Sequence, residues 1–309
     1  MSQPAMPFDD AESADENQAA RAFNDKARPP PARRSGHPAP VLDHEKELLK
    51  LLEKLAYRHD KWRVFADFCE LAALSLSNAV DKGQYDKREA RYLQIVKGYS
   101  REEVNLFPQC LSQVVLALEK AGGDVLGRTF HALELHNKWA GQFFSPDAIC
   151  RMMANMTIGD EATLRETIAR RGFVTAQEPA VGSGAMVIAL AQAMHDLGIN
   201  YQQHLHVTAI DVDPKCVHMA YVQFTLLHIP AIVIHGNTLA LQEYEHWFTP
   251  AHIMGGWHWK LRQREALEKV HEILAAPPPS VAPQPPDETV PTEPPADHPP
   301  GPALQLTLF

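Results

Sequence analysis

Residues 178–184 read Glu-Pro-Ala-Val-Gly-Ser-Gly, a turn of small residues between two apolar segments. The segment before it, residues 173–176, has the apolar and β-branched composition of a strand, and residues 184–197 have the pattern of an apolar helix. A small-residue turn at such a junction lets a ligand approach the backbone closely, with the N-terminus of the helix behind it. We therefore expect a ligand site at this turn.

The strand and helix pattern continues on the C-terminal side of the turn. Residues 206–210 and 231–234 predict a second and a third strand, with a helix over about 215–228 between them. Strands that alternate with helices in this way imply a parallel sheet, so the fold class is α/β. Beyond residue 240 the pattern is unclear until residues 258–275, which predict a helix.

Residues 43–121, which precede the predicted sheet in the sequence, predict a helical region. Asp43 is a plausible N-cap, residues 100–103 form a capping box, and Gly122 with Gly123 ends the run. A stripe of large apolar side chains at helical spacing predicts core positions, namely Trp62, Phe65, Phe68 and Leu71.

Two acidic residues, Asp211 and Asp213, stand at the end of the second predicted strand. A carboxylate at that place can accept both hydroxyls of a ribose. A dinucleotide site is one alternative, but its glycine pattern needs a third glycine where Val187 stands. A nucleophile elbow is absent because Ser183 is followed directly by Gly184.

Together these motifs resemble those of N6-adenine DNA methyltransferases, especially the modification subunits of type I restriction systems. Residues 178–184 resemble the S-adenosylmethionine loop of that family, and residues 209–214 resemble its ribose-binding segment. Residues 141–146, Gly-Gln-Phe-Phe-Ser-Pro, resemble a further cofactor motif. Residues 124–127 resemble the segment that joins the helical and catalytic domains, and residues 236–239 resemble the motif after strand three.

The resemblance implies a truncated class I, Rossmann-like S-adenosylmethionine methyltransferase domain that is preceded in the sequence by a helical domain. It implies S-adenosyl-L-methionine as cofactor and DNA as partner. Independently of the resemblance, Ser145 is a good N-cap and Pro146 a good first helical residue, so a helix is expected to begin there. The cofactor-binding residues carried over from the family are Gln142, Phe143, Phe144, Ser145, Pro146, Glu178, Pro179, Ala180, Gly182, Ser183, Gly184, Asp211, Asp213 and Asn237.

One motif of the family is not found in this sequence. In the family, Asn/Asp/Ser-Pro-Pro-aromatic stands at the tip of strand four and holds the flipped-out adenine. The Pro-Pro pairs here lie at residues 29–31 and within residues 277–300, without the required neighbours. No catalytic residue is therefore assigned. Two interpretations stay open: an adenine methyltransferase whose amine site is divergent or supplied by a partner, or a non-catalytic pseudoenzyme that binds cofactor or DNA.

An uncovered edge of the first strand is a liability in solution. We expect residues 246–275, a second copy of the chain or a partner subunit to cover that edge.

The prolines divide the chain. Of 25 prolines, seven lie in residues 1–42 and twelve in residues 277–302. Residues 1–41 are predicted to be a disordered tail. The remaining boundaries are a helical domain at 42–130, a methyltransferase-like domain at 131–275, an extended linker at 276–303 and a terminal peptide at 304–309.

The terminal peptide resembles the bacterial sliding-clamp-binding motif. Its Gln305 can hydrogen-bond at the rim of a pocket while Leu306, Leu308 and Phe309 fill an apolar groove. The alternative is a C-terminal strand, or a peptide docked on its own domain.

Composition excludes several classes of protein. The sequence has no apolar run long enough for a transmembrane helix, and its acidic N-terminus is not a secretory signal. Four widely spaced cysteines fit a reducing cytoplasm. The net charge of −9 argues against a protein that coats nucleic acid generally. Sixteen histidines show no compact metal-ligand spacing, so no metal site is assigned.

Overall fold

Eight helices precede the first strand in the part of the chain that the computed structural model describes, residues 43–133, 145–275 and 306–307. All of these residues belong to the compact unit Asp43–Phe309, as distinct from residues 1–42. The helices are α1 His44–Leu55, α2 Lys61–Val80, α3 Tyr85–Val96, α4 Arg101–Val104, α5 Leu106–Ala121, α6 Val125–Ala132, α7 Asp147–Ile158 and α8 Glu161–Arg171, with a 3-10 turn at Lys82–Gln84.

The second half of the described chain alternates strands with helices, as the sequence predicts. The elements are β1 Val174–Glu178, α9 Ala185–Asp196, α10 Tyr201–His204, β2 Leu205–Asp211, α11 Pro214–Leu226, β3 Ala231–Asn237, β4 Gln242–Phe248, α12 Pro250–Met254, α13 Trp257–Ala275 and β5 Leu306–Thr307.

The capping signals in the helical region are confirmed. The Asp43 side chain accepts a hydrogen bond from the Lys46 N–H, and Ser100 forms a complete capping box with Glu103. Helix α5 ends at Gly122, whose φ of 63° is the left-handed conformation that glycine tolerates. These local signals depend on residues close together in sequence, which is why the sequence alone is sufficient to find them.

The strands form one sheet in the order β4-β3-β2-β1-β5 across the described residues. The pairs β1 with β2, β2 with β3, and β1 with β5 are parallel, whereas β3 and β4 are antiparallel. The carboxyl ends of β1, β2 and β3 therefore meet at one edge, where polar residues from three strands can share a ligand.

Of the three expected neighbours of the β1 edge, the first, residues 246–275, is wrong. Strand β4, the only strand that overlaps residues 246–275 in the described chain, pairs with β3 at the opposite edge of the sheet. At the β1 edge, Leu306 lies opposite Ala176 and Thr307 opposite Gln177. Leu306 and Thr307 thus form a strand that pairs with the first strand of the same chain.

The helical region and the sheet share one hydrophobic core. Helix α2 packs along α11, and buried side chains run without a break from Leu48 in α1 to Val233 in β3. Trp62 departs from the predicted core stripe because its side chain is 41% exposed, with the Lys215 ammonium 3.9 Å from its ring centre. A cation–π contact explains a tryptophan at this half-open position.

Helix α7 begins one residue later than the sequence predicts. Pro146 occupies the N-cap position with an extended ψ of 141°, and its carbonyl accepts from the Cys150 N–H at 3.1 Å. The expected cap by the Ser145 side chain is therefore wrong. Arg128 of α6 binds Asp147 at 2.9 Å and Glu45 at 2.7 Å, which fixes the first turn of α7 against the helical region.

Within the described residues, no helix is long and apolar enough to cross a membrane.

Candidate cofactor site

The turn after β1 requires glycine at two positions because of backbone conformation, and at one of them also because of close packing. Gly182 and Gly184 both have positive φ, 55° and 99°, a region that other residues rarely adopt. At Gly184 a Cβ would also lie 2.6 Å from the Phe224 ring of α11. Helix α11 thus packs directly against the start of α9, which holds the turn at the carboxyl edge of the sheet.

Hydrogen bonds join the tips of β1, β2 and β3. The Gly182 N–H donates to Asp211 Oδ2 at 2.8 Å, and the Val181 N–H donates to the Ile210 carbonyl at 2.8 Å. From β3, the Thr238 hydroxyl donates to the Pro179 carbonyl at 2.7 Å. The turn is therefore held on both sides before any ligand binds, which is the preorganisation that a tight site requires.

The two acids after β2 have separate tasks. Asp213 caps α11 by accepting from the Lys215 N–H at 3.0 Å, and it forms an ion pair with the Lys215 side chain. Asp211 accepts one N–H on each oxygen, from Gly182 at 2.8 Å and from Asp213 at 2.9 Å. Each carboxylate oxygen has about two lone pairs, so Asp211 retains capacity to accept hydroxyls.

Asp124 is the centre of a buried polar network behind the glycine turn. Its carboxylate accepts from the Gly127 N–H at 2.8 Å, from Gln223 Nε2 at 2.8 Å and from the Ser183 hydroxyl. Gln223 also donates to the Ser183 carbonyl at 2.8 Å and accepts from the Leu126 N–H at 3.1 Å. The network joins α6, the turn and α11, so the helical region directly supports the candidate site.

Gly127 makes this close approach possible. A Cβ on Gly127 would lie 1.9 Å from Asp124 Oδ2 and 2.7 Å from the Ser183 hydroxyl oxygen. Asp124 itself is only 4% exposed, and burial raises its pKa, while the hydrogen bonds that it accepts act in the opposite direction. The network is therefore a tightly packed unit in which each group depends on its neighbours.

Glu178 is the strongest electrostatic feature of the site. Its side chain is buried at 3% exposure, and burial raises its pKa to about 7, with the nearby Asp211 acting in the same direction. The Ala180 N–H, which donates to Glu178 Oε1 at 3.2 Å, partly opposes this shift. Burial likewise raises the pKa of Asp211. Two neighbouring acids that are hard to ionise favour a cationic ligand.

The structure brings one part of the predicted site together. Glu178, Pro179, Ala180, Gly182 and Asp211 lie at the joined strand tips, and Ser183 turns its hydroxyl inward to Asp124. Asn237 ends β3 and accepts from the Ala240 N–H at 3.0 Å.

Ser145 and Pro146 lie exposed at the start of α7. Gln142, Phe143 and Phe144 lie outside the described residues.

Three supporting residues have no place in the sequence-based site. Asp124 and Thr238 are recognised in the sequence only as members of the matched segments 124–127 and 236–239, and Gln223 has no predicted role. Their hydrogen-bond partners are 40 or more positions away in sequence, except for the contact of Asp124 with Gly127. Among the described residues no group of histidine, cysteine and acidic side chains is arranged to hold a metal ion.

Two solved structures are similar to this chain. One is a protein from Listeria monocytogenes assigned to the class I S-adenosylmethionine-dependent methyltransferases, with 14% identity, a TM-score of 0.35, and coverage of 63% of this chain and 54% of that chain. The other is the methyltransferase subunit of a type I restriction-modification system from Streptococcus thermophilus, with 11% identity, a TM-score of 0.29, and coverage of 60% and 57%. The chain spans little more than half of either protein, and no curated protein matches it.

A family model described as N-6 DNA methylase matches residues 123–288. The match begins beside Asp124, includes the glycine turn and the ends of β2 and β3, and extends past α13. Because this match includes more than half of the chain, the chain belongs to the N-6 DNA methylase family. The family has the class I fold and uses S-adenosyl-L-methionine as cofactor.

Proposed function

We propose that this protein binds S-adenosyl-L-methionine at the joined tips of β1, β2 and β3 and serves methyl transfer to the N6 amine of adenine in DNA. The observation that carries this proposal is the pairing of a preorganised glycine turn with two carboxyl groups, Glu178 and Asp211, at one edge of a parallel sheet. The DNA substrate comes from the family, whose description names DNA.

The chemistry of the donor set fits the cofactor. The cofactor carries an ammonium group and a ribose with two hydroxyls, and its sulfonium supplies an electrophilic methyl group. Glu178 is buried beside the turn with a raised pKa, so a bound ammonium would stabilise its ionised form. Asp211 has lone pairs left for hydroxyl groups after its two backbone contacts.

Each residue then has a definite task. Glu178 binds the ammonium, Asp211 accepts from the ribose, and the glycine turn lets the ligand lie against the backbone. Asp213 holds the start of α11, and Asp124 holds Ser183 in place from behind. We assign Pro179, Ala180 and Asn237 to the walls of the site. Phe143 and Phe144 complete our proposed site as rings for the adenine or the methionine chain, with Gln142, Ser145 and Pro146 beside them.

No residue of this chain is assigned to the part of the site that would hold the N6 amine of the target adenine. Transfer to adenine requires groups that hold the N6 amine of a flipped base towards the methyl group. In our proposal a partner chain or a divergent segment provides them, next to the carboxyl end of β1.

Two assays on the full chain separate cofactor binding from methyl transfer. Calorimetric titration with S-adenosyl-L-methionine measures binding, and a tritiated-methyl assay on adenine-containing DNA measures transfer. Binding with transfer to adenine supports the enzyme. Binding without transfer, in the presence of partner subunits, leaves the non-catalytic function, and absence of binding contradicts the cofactor site.

The second candidate function is a non-catalytic module recruited to DNA through the sliding clamp. The observation in favour of a non-catalytic function is that Leu306–Thr307 pairs with β1 on the side where the family carries strand four, which bears the catalytic motif. The clamp part of this proposal rests on the resemblance of the terminal peptide to the clamp-binding motif. In this proposal Gln305, Leu306, Leu308 and Phe309 bind the clamp. Deletion of residues 305–309 should abolish clamp pull-down, whereas a Thr292→Asp control in the linker should leave it intact. Unchanged pull-down after the deletion contradicts this function.

A further inference from the structure

The outer edge of β1 carries a strand from a distant part of the chain. Strand β1 pairs over its whole length with β2, from Val174 to Glu178, and on the other side Ala176 and Gln177 pair with Leu306 and Thr307 of β5. Among the described residues, these two are the partners of this edge. An edge of this kind accepts an added strand through backbone hydrogen bonds.

An apolar groove lies alongside the same edge. It has a volume of about 290 Å³ and opens between α8, α9 and β1. Val174 and Ala176 of β1 line it, so the groove and the strand edge share residues. Its other apolar walls are Ile158, Leu164, Leu190, Met194 and Leu205. Backbone pairing with side-chain pockets beside it is the usual composition of a site that takes an extended peptide.

The register of β5 places the terminal peptide beside this groove. Leu306 lies opposite Ala176, a residue that lines the groove, and β5 runs parallel to β1. The segment 304–309 is rich in leucine, a composition that suits an apolar groove.

The linker is long enough to deliver this segment. Helix α13 ends at Ala275, so residues 276–303 connect it to the terminal peptide. A proline-rich linker of this length spans up to roughly 80 Å at about 3 Å per residue. Tethering gives the peptide an effective concentration on the order of millimolar at its own domain. Weak docking is therefore sufficient for substantial occupancy.

We propose that the β1 edge and its adjoining groove are the docking site for the chain's own residues 304–309, and that this docked state excludes binding of the same peptide to an external partner. The exclusion follows because the backbone groups of Leu306 and Thr307 that pair with β1 are not available to another groove. Where the external partner is the sliding clamp, the exclusion rests on the function proposed above. The docking itself does not.

Amide hydrogen exchange of the full chain tests the docking. Deletion of residues 305–309 should speed exchange of the β1 amides that face β5 by about tenfold, while β3 amides remain unchanged. The linker variant Thr292→Asp should match the wild type. Adding the peptide Leu-Gln-Leu-Thr-Leu-Phe in trans to the deletion variant should restore protection, and a scrambled peptide should not.

A groove variant separates docking from clamp binding. Thr167 is half-buried on α8 and lines the groove, so Thr167→Trp should fill it and release an intact peptide. The control Glu166→Trp adds the same side chain to the exposed face of α8.

Faster β1 exchange in Thr167→Trp alone supports docking, and increased clamp pull-down by that variant supports the exclusion. Faster exchange in a variant that still fails to bind the clamp contradicts clamp recruitment and leaves docking supported. Equal β1 exchange in the wild type and the deletion variant overturns the docking proposal.

Discussion

At its carboxyl end β1 is joined to β2, β3, α6 and α11 by hydrogen bonds, whereas along its outer edge it meets two residues of the terminal peptide in the described structure. The carboxyl end is held by Asp211, Thr238 and the Asp124 network, all within the continuous fold. In the described residues the outer edge is paired with Leu306 and Thr307 of a strand that lies far away in sequence. The cofactor end is therefore organised before a ligand binds, and we propose that the edge exchanges its partner.

The largest effect is expected from breaking the network at Asp124. Asp124→Ala leaves the Gly127 N–H, the Ser183 hydroxyl and the Gln223 amide without their acceptor, at a cost of roughly 4 kcal/mol in the free energy of unfolding. Urea unfolding measures it. The control Asp196→Ala, on the exposed end of α9, should cost less than about 1 kcal/mol. Equal losses in both variants contradict the claim that the carboxyl end is rigid.

Two glycines distinguish backbone strain from close packing. Gly198 has a φ of 70° and open space at its Cβ position, so Gly198→Ala should cost only the strain, about 1 kcal/mol. Gly184→Ala adds a clash with Phe224 and should cost about 3 kcal/mol, with loss of cofactor binding. Thermal unfolding and calorimetric titration measure the two effects. A Gly184→Ala variant as stable as Gly198→Ala would show that α11 does not hold the turn.

Glu178 makes the site dependent on pH. Its pKa of about 7 lies above its ordinary value, so the folded state binds this proton more tightly than the unfolded state. Stability from this group is present at low pH and is lost as the pH rises through 7, by about 2 to 3 kcal/mol between pH 4 and 8. Glu178→Gln should remove that part of the decline in urea unfolding measured across this range.

Cofactor binding should have the opposite dependence on pH. A bound ammonium favours ionised Glu178, so the affinity of the wild type should rise between pH 5.5 and 7 by up to about tenfold per pH unit, with release of a proton. Titration in buffers of different ionisation enthalpy measures the proton. An affinity that does not change with pH in the wild type contradicts the role of Glu178.

The smallest effect is expected at the outer edge. Deletion of residues 305–309 removes the pairing of Leu306 and Thr307 with β1 and should lower the free energy of unfolding by less than about 1 kcal/mol. The same variant should keep its affinity for the cofactor, because the groove lies beside α8 and α9 and not at the joined strand tips. A loss above about 3 kcal/mol in urea unfolding would show that β5 is a permanent part of the sheet.

The sequence predicts the local part of this architecture well. The N-caps at Asp43 and Ser100 and the first three strands depend on short patterns, and they are confirmed to within a few residues. Helix α8 and the short helices α10 and α12 escaped prediction, and α7 was predicted only at its start. Strand β4 escaped prediction as well, because its charged residues give it no apolar period. It is stabilised instead by a contact with a distant part of the chain, since the Arg88 guanidinium of α3 lies 4.1 Å from the Trp247 ring centre.

The site divides in the same way. The glycine turn and Asp211 form recognisable motifs, whereas the roles of Asp124 and Gln223 depend on packing between elements far apart in sequence. Asp213 looked equivalent to Asp211 in sequence, but its contacts with Lys215 identify it as the cap of α11. Spacing alone cannot assign such tasks, because they depend on which helix packs behind the turn.

The most direct test of the cofactor site is amide hydrogen exchange of the full chain with and without S-adenosyl-L-methionine. We predict that the cofactor slows exchange at residues 179–184 and 211–213, where the turn and the end of β2 meet, and leaves α1 and α5 unchanged. Binding that slows exchange elsewhere in the chain, with no change at these two segments, would contradict the proposed site.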